Sequence, residues 1–233
     1  ETFDWAAFFR AMKVYNQETE YELQKWEVNR TPYPQMTGET FWIYRMFFYH
    51  LSGGMDPHFL DTDRRVNRIM MRGYQQKKPC APAMRHRCVE WSCPANFYPD
   101  FSVWAENCWG INVVMDMETM ISYLKFRTDT HEHALEDLAK TYQRATMRTH
   151  TKGGYANVLN ECWRVAEEYN VDTIIMYDQI SCKGMDGLVG IFDDQAREKG
   201  YNFIWVQQDL MDSRTISRRD MRLSLIHISE PTR

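Results

Sequence analysis

The stretch from Val171 to Arg222 limits the possible folds of this chain more than any other. It opens with Thr173-Ile174-Ile175-Met176-Tyr177, an apolar, β-branched run of the length of a buried strand. A polar turn carrying Cys182 follows, then a helical stretch that ends at Lys199-Gly200, a cationic last turn with a glycine stop. A second apolar run, Phe203-Ile204-Trp205-Val206, leads into Asp209 and Asp212. A strand–helix–strand unit within one sheet is parallel and almost always right-handed. Parallel sheets bind their ligands beyond the carboxyl ends of the strands. Cys182 and Asp209 both fall there, so the stretch reads as one wall of a site.

Upstream, the pattern is different. Trp5, Phe8, Phe9, Met12, Tyr15, Leu23 and Trp26 recur near helical spacing and predict a long amphipathic helix over residues 3–29. Thr31-Pro32-Tyr33-Pro34 ends it, because each proline pushes its predecessor out of the helical region. Thr37 reads as the N-cap of a second, very apolar helix, Gly38–Leu51, and Asp56-Pro57 as the start of a third that reaches about Gln76. Three helices in succession predict a helical subdomain over residues 1–80, with a linker from Lys77 to Pro82. Over residues 81–222 strands are expected at about 86–92, 111–116, 172–177 and 202–207. Helices are expected at about 100–108, 131–146 and 153–169, the first stopped by Gly110. This alternation predicts an α/β lobe: a small, four-stranded, parallel, flavodoxin-like sheet with flanking helices.

Composition narrows the function. An apolar fraction of 44% supports a substantial core, and a formal charge of −4 gives no reason to expect nucleic acid or an anionic membrane as partner. No apolar run reaches the roughly 18 residues of a membrane span. The cysteines at 80, 88, 93, 108, 162 and 182 form no CxxC pair, so reduced thiols in a cytoplasm are expected. The last eleven residues, LSLIHISEPTR (223–233), are what a common transposon-type sequencing adapter gives when translated in frame, and are read as a non-native tail. With a first residue that is not Met and lies within a helical pattern, the chain is expected to be a fragment.

Glu168-Tyr169, Val171-Asp172, Ser181-Cys182-Lys183, Asp209, Asp212, Arg214, Ser217 and Arg222 occur in a fixed order. They match an EY-x-VD-x-(I/V)I strand, an (S/G)CK turn, and D-x-x-D-x-R-x-x-S before an Arg-rich helix. In this the chain resembles the 2-hydroxyacyl-CoA dehydratase / benzoyl-CoA reductase family. The resemblance implies two α/β lobes, of which residues 81–222 would be the second, and a 4Fe-4S cluster held by three cysteines at the lobe interface. Two of those cysteines belong to the first lobe; the third sits in the (S/G)CK turn, where Cys182 stands. It also implies a heterodimer with a homologous second subunit and a separate ATP-dependent iron–sulfur activator protein. The implied reaction is loss of water from a 2-hydroxyacyl-CoA through a ketyl radical after electron injection. A benzoyl-CoA reductase-type subunit is the alternative within enzymes, and a cluster-free scaffold is the alternative outside them. A first lobe with two further cysteines would mark the enzyme. By itself the chain is expected to be inactive and to bind little iron.

Each candidate residue also has a plain structural reading. Cys182 could be a half-buried turn thiol. Cys93, after the first strand, reaches the same edge and is the alternative metal ligand, although the family places none there. Trp91, Ser92 and His150 are candidates for the substrate pocket, His150 because it precedes a Gly153-Gly154 loop that feeds a helix N-terminus. His131 and His133, two apart at a helix start, diverge and read as a solvated first turn. Asp209, Asp212 and Arg214 read either as a local cap and ion pair or as a wall of the site. Asp116 ends a strand at the rim. With no Ser-His-Asp arrangement and no evident pair of acid–base carboxylates, the chemistry needs a cofactor.

Overall fold

The computed structural model describes residues 2–38, 57–81, 83–117 and 124–229. The helix expected over Gly38–Leu51 lies outside the described residues. Helix α1 (Trp5–Arg30) starts on Asp4, whose Oδ1 accepts the Ala7 amide at 2.9 Å. Helix α2 (Pro57–Gln75) packs along it.

Four strands follow, β1 (His86–Trp91), β2 (Ile111–Asp116), β3 (Thr173–Gln179) and β4 (Asn202–Gln208). They form one all-parallel sheet in the order β2-β1-β3-β4. Helix α3 (Asp100–Trp109) connects β1 to β2; α4 (His131–Arg144), α5 (Thr146–Gly153) and α6 (Tyr155–Glu168) lie between β2 and β3; α7 (Lys183–Asp186) and α8 (Val189–Lys199) lead to β4. Helix α9 (Arg218–Ser229) comes last.

The apolar runs are continuous because the sheet is covered on both faces. On β3, Ile174 and Met176 pack with Val158, Leu159 and Cys162 of α6 and Phe192 of α8. Ile175 and Tyr177 point the other way, to Phe101 and Ala105 of α3 and Met221 and Leu225 of α9. Ile174, Ile175 and Met176 are at most 2% exposed, and burying each contributes about 1.5–3 kcal/mol. Glycine stops are where the sequence places them. Gly110 (φ 68°) ends α3 and Gly200 (φ 80°) ends α8, and a Cβ at Gly110 would lie 2.2 Å from the Ala83 carbonyl.

The free edge of β2 is partly covered by the segment after α1. Gly38 N–H donates to Val113 O at 2.9 Å, and Asn29 Nδ2 donates to Val114 O at 2.9 Å and to Met36 O at 2.7 Å. These bonds occupy edge carbonyls that could otherwise pair with another chain. In one place the helix pattern differs from expectation. Helix α4 breaks at Ala145, and α5 then runs through His150 to Gly153, so His150 is helical rather than in a loop. The break comes one glycine later, at Gly154 with φ 68°.

Candidate functional site

The chain order reverses between β1 and β3: β1 leads outward to β2, β3 outward to β4. The crevice beyond the carboxyl ends of β1 and β3 is therefore the topological switch point, where open α/β sheets bind ligands. The β1 side presents Trp91, Ser92 and Cys93, and the β3 side Asp178 through Cys182.

Cys182 is half-buried. Its amide closes a turn on Gln179 O at 2.7 Å, and its carbonyl accepts the amides of Met185 and Asp186, both at 3.0 Å, as the N-cap of α7. The thiol-bearing residue is thus fixed by backbone bonds on both sides. Cys93 is also half-buried, and its carbonyl accepts Gln208 Nε2 at 2.7 Å. Ile180 N–H donates to Gln208 O at 3.0 Å, and Asn96 N–H to Leu210 O at 3.0 Å. The loops after β1, β3 and β4 are stitched together by these bonds, and both cysteines sit on the same stitched rim. Cys88 and Cys162 are fully buried, and burial pushes both thiols well up.

Trp91 is 0% exposed, and His150 of α5 packs its ring against the indole with centroids 5.8 Å apart. The Trp91 Nε1–H is buried without a hydrogen-bond partner among the described residues. Such a donor is where a water or a ligand oxygen bonds. Ser92 is buried with φ 72°, the left-handed region that a side chain enters at a cost of about 1–2 kcal/mol. Asp178 is 1% exposed and accepts Trp205 Nε1–H on Oδ2 at 2.6 Å.

The acids after β4 shape the loop. Asp209 Oδ1 accepts the Met211 and Asp212 amides at 2.9 and 2.8 Å, which hold its carboxyl below the usual range. The Arg214 guanidinium and amide pull Asp212 down to about 2. Ser217 and Asp220 form a reciprocal cap at the start of α9, with Asp220 N–H to Ser217 Oγ at 3.1 Å and Ser217 Oγ–H to Asp220 at 2.7 Å. Here the D-x-x-D-x-R-x-x-S pattern builds a turn and a helix start. His131 stacks on Trp5 at 3.8 Å and His133 pairs with Asp129 at 2.8 Å, so the two imidazoles engage different partners.

Sequence reasoning missed Glu90. It is 1% exposed, lies in register with Asp116 of β2, and its carboxyl is pushed up to about 8. Burial is the larger cause and the Asp116 charge the second, partly offset by the Tyr177 hydroxyl, which donates to Oε1 at 3.2 Å, and by the nearby Ser102 hydroxyl. An acid within the buried half of β1, flanked by Val89 and Trp91, is the signal the sequence offers. Among the described residues no three His, Cys, Asp or Glu side chains converge where a metal ion could sit. No helix among them is long and apolar enough to cross a membrane.

Together these features describe an α/β protein with two half-buried cysteines in the loops that leave β1 and β3, on either side of its topological switch point. The family described as 2-hydroxyglutaryl-CoA dehydratase, D-component, matches residues 1–224, and the chain belongs to it. It is therefore a dehydratase-type subunit, of a family with iron–sulfur-bearing components. No curated protein matches the chain.

Proposed function

We propose that the chain is part of an iron–sulfur subunit of a 2-hydroxyacyl-CoA dehydratase-like enzyme of the cytoplasm. Residues 81–222 form the second of its two α/β lobes, and residues 1–80 a helical subdomain. Cys182 is one thiolate of a 4Fe-4S cluster whose other ligands come from the first lobe. The observation that carries this reading is the place of Cys182, half-buried on the switch-point rim and held by its own backbone bonds. A soft thiolate on a rigid turn suits such a cluster. When bound, the cluster supplies one-electron chemistry at low potential.

The chain's own residues bind and shield. Trp91 and His150 form an aromatic wall that excludes water from the crevice, and the buried indole N–H is a donor for a thioester or hydroxyl oxygen. Ser92 is held at the mouth by its strained turn. The substrate class is a 2-hydroxyacyl-CoA that loses water. The partners are a homologous second subunit and an ATP-dependent iron–sulfur activator.

The test uses the full-length gene, co-expressed anaerobically with its neighbours, with iron and acid-labile sulfide counted in wild type and Cys182→Ala. About four irons per subunit, largely lost in the variant, support the assignment. Equal iron in both proteins removes Cys182 from the site and transfers attention to Cys93. Absence of iron from both ends the iron–sulfur reading.

A further inference from the structure

We infer that helices α1 and α2 form a binding groove, separate from the switch-point crevice, for a small ligand that joins a diphosphate to an apolar or aromatic body. Its first half is written in the sequence. Arg64, Arg68 and Arg72 recur every four residues along α2. Four residues advance a helix by about 6 Å and turn it by little more than one revolution, so the three side chains share one face. Like charges at this spacing weaken a helix. The chain keeps the stripe although its formal charge is −4.

The three arginines line a groove of about 390 Å³ against α1, where Tyr21 lines it too. Arg64 is fixed in place: Nη1 pairs with Asp61 Oδ1 at 2.8 Å, and Nε donates to the Tyr21 hydroxyl at 3.3 Å. Asn67, also lining the groove and only 9% exposed, ties the two helices together by donating to Gln24 Oε1 at 2.9 Å. The guanidinium groups of Arg68 and Arg72 have no carboxylate partner among the described residues. Asp61 compensates one of the three positive charges, and two are left over.

The groove does not end there. Met71 lines both it and a second groove of about 380 Å³, whose walls include Leu23, Val28 and Tyr74. The acid on this second part, Glu27, is paired with Arg30. Each volume lies in the range of small-molecule sites. A cationic end and an apolar end that meet at one methionine suit a ligand with the same two ends. A guanidinium takes two phosphate oxygens at once, and two uncompensated guanidinium groups match a diphosphate in charge. Tyr74, Met71 and Leu23 can cover an apolar or aromatic body. Trp91, Ser92, Cys93 and Cys182 line neither part, so the inference stands apart from the iron–sulfur reading. A nucleoside diphosphate carries the required chemistry, and so does CoA.

Calorimetric titration of the 233-residue chain at low ionic strength tests the inference, with ADP, CoA, inorganic pyrophosphate and adenosine as probes. ADP, CoA or both should bind with a Kd below about 1 mM, and the tighter of the two identifies the source of the diphosphate. Pyrophosphate and adenosine, each with half of the chemistry, should bind at least about tenfold more weakly. The double variant Arg68→Met, Arg72→Met should weaken ADP and CoA by at least about tenfold and reduce the salt dependence of binding. Tyr74→Ala should weaken ADP and CoA and leave pyrophosphate unchanged. Three results overturn the groove: no saturable binding of ADP or CoA below about 1 mM, an affinity that the arginine variant leaves unmoved, or pyrophosphate as tight as both. Both arginines are exposed, and circular dichroism checks that the variant folds. Should it not fold, Arg68→Lys with Arg72→Lys decides: the lost fork should weaken binding, and unchanged affinity overturns the site.

Discussion

The guanidinium of Arg87, at the amino end of β1, grips the backbone carbonyl of Tyr169 with two hydrogen bonds, Nε at 3.2 Å and Nη2 at 3.0 Å. The same side chain reaches Asn29 O at 2.8 Å and Thr31 O at 3.2 Å. Tyr169 follows α6, and Asn29 and Thr31 end α1. One cation thus gathers the negative ends of two helices onto the sheet, where helix dipoles and unpaired carbonyls favour positive charge.

Arg87→Ala should therefore lose several charge-assisted bonds at once. Each such bond is worth about 1.5–3 kcal/mol, and the total loss is expected to exceed about 3 kcal/mol in urea unfolding. Arg87→Lys keeps the charge but not the planar fork, and should recover only part of that loss. A change below about 0.5 kcal/mol in Arg87→Ala would refute the clasp.

Lys25 makes a second buried centre. It is 1% exposed and meets Glu22 and Asp63 at 2.5 Å each, joining α1 to α2. Removing one partner of such a cluster leaves buried charge uncompensated, so Lys25→Met should cost about 3–5 kcal/mol. Adding Glu22→Gln and Asp63→Asn to that variant should restore much of the loss, and thermal unfolding of the series measures it.

Stability should also fall as the solution turns alkaline. Burial, then the charge of Asp63, pushes Glu18 up to about 7, and burial with Asp116 pushes Glu90 up to about 8. Both groups bind protons in the folded chain that the unfolded chain releases near pH 4.5. Their contribution is complete below that value and is lost as pH rises through 7 and 8. Asp137 and Asp212, pulled down to about 2 by Arg127 and Arg214, contribute in the opposite sense, above the ordinary carboxyl range. The urea midpoint is expected to peak near pH 5 and to decline toward pH 8.5. Glu18→Gln should flatten part of the decline up to about pH 7, and Glu90→Gln part of it over the whole span up to about pH 8. A flat profile in the wild type would contradict both shifts.

Much of this architecture is readable from the chain. Thr173 to Tyr177 is too apolar and β-branched to be anything but a covered strand, and Gly110 and Gly200 stop their helices as glycine after a helical run does. Cys182 and Asp209 reach the carboxyl edge because the strand–helix–strand order puts them there. His150 was less legible, because Gly153 is tolerated inside α5 and only Gly154 breaks it. Glu90 and Asp116 are far apart in sequence and meet through a register that a bulge resets. No local pattern encodes that shift, so the pair is visible only in three dimensions.

The end of the chain gives a stringent case. Helix α9 continues past Arg222, and Leu225 is 0% exposed beside Met221. The family match stops at residue 224. Burial here depends on the face of the helix that each residue occupies. Leu225→Ala should cost about 2–5 kcal/mol, while Leu223→Ala, at a position 40% exposed, should stay within about 0.5 kcal/mol. Equal effects at the two positions would show that the tail does not pack as a helix.

The last prediction concerns Ser92, whose φ of 72° lies at the mouth of the crevice. Glycine enters this region without the Cβ penalty, so Ser92→Gly should relieve strain in the folded state. Glycine also frees the unfolded chain, which offsets part of the gain. The net change is expected to lie between zero and about 1 kcal/mol of added stability. Ser92→Val, β-branched in the same conformation, should lose about 2 kcal/mol or more. The ordering Gly, Ser, Val in urea midpoints is the readout, and a Val variant as stable as the wild type would show that the turn relaxes freely. In that case Ser92 could not act as a fixed element of the crevice, because the same rigidity that costs folding energy is what would hold its hydroxyl in place for a ligand.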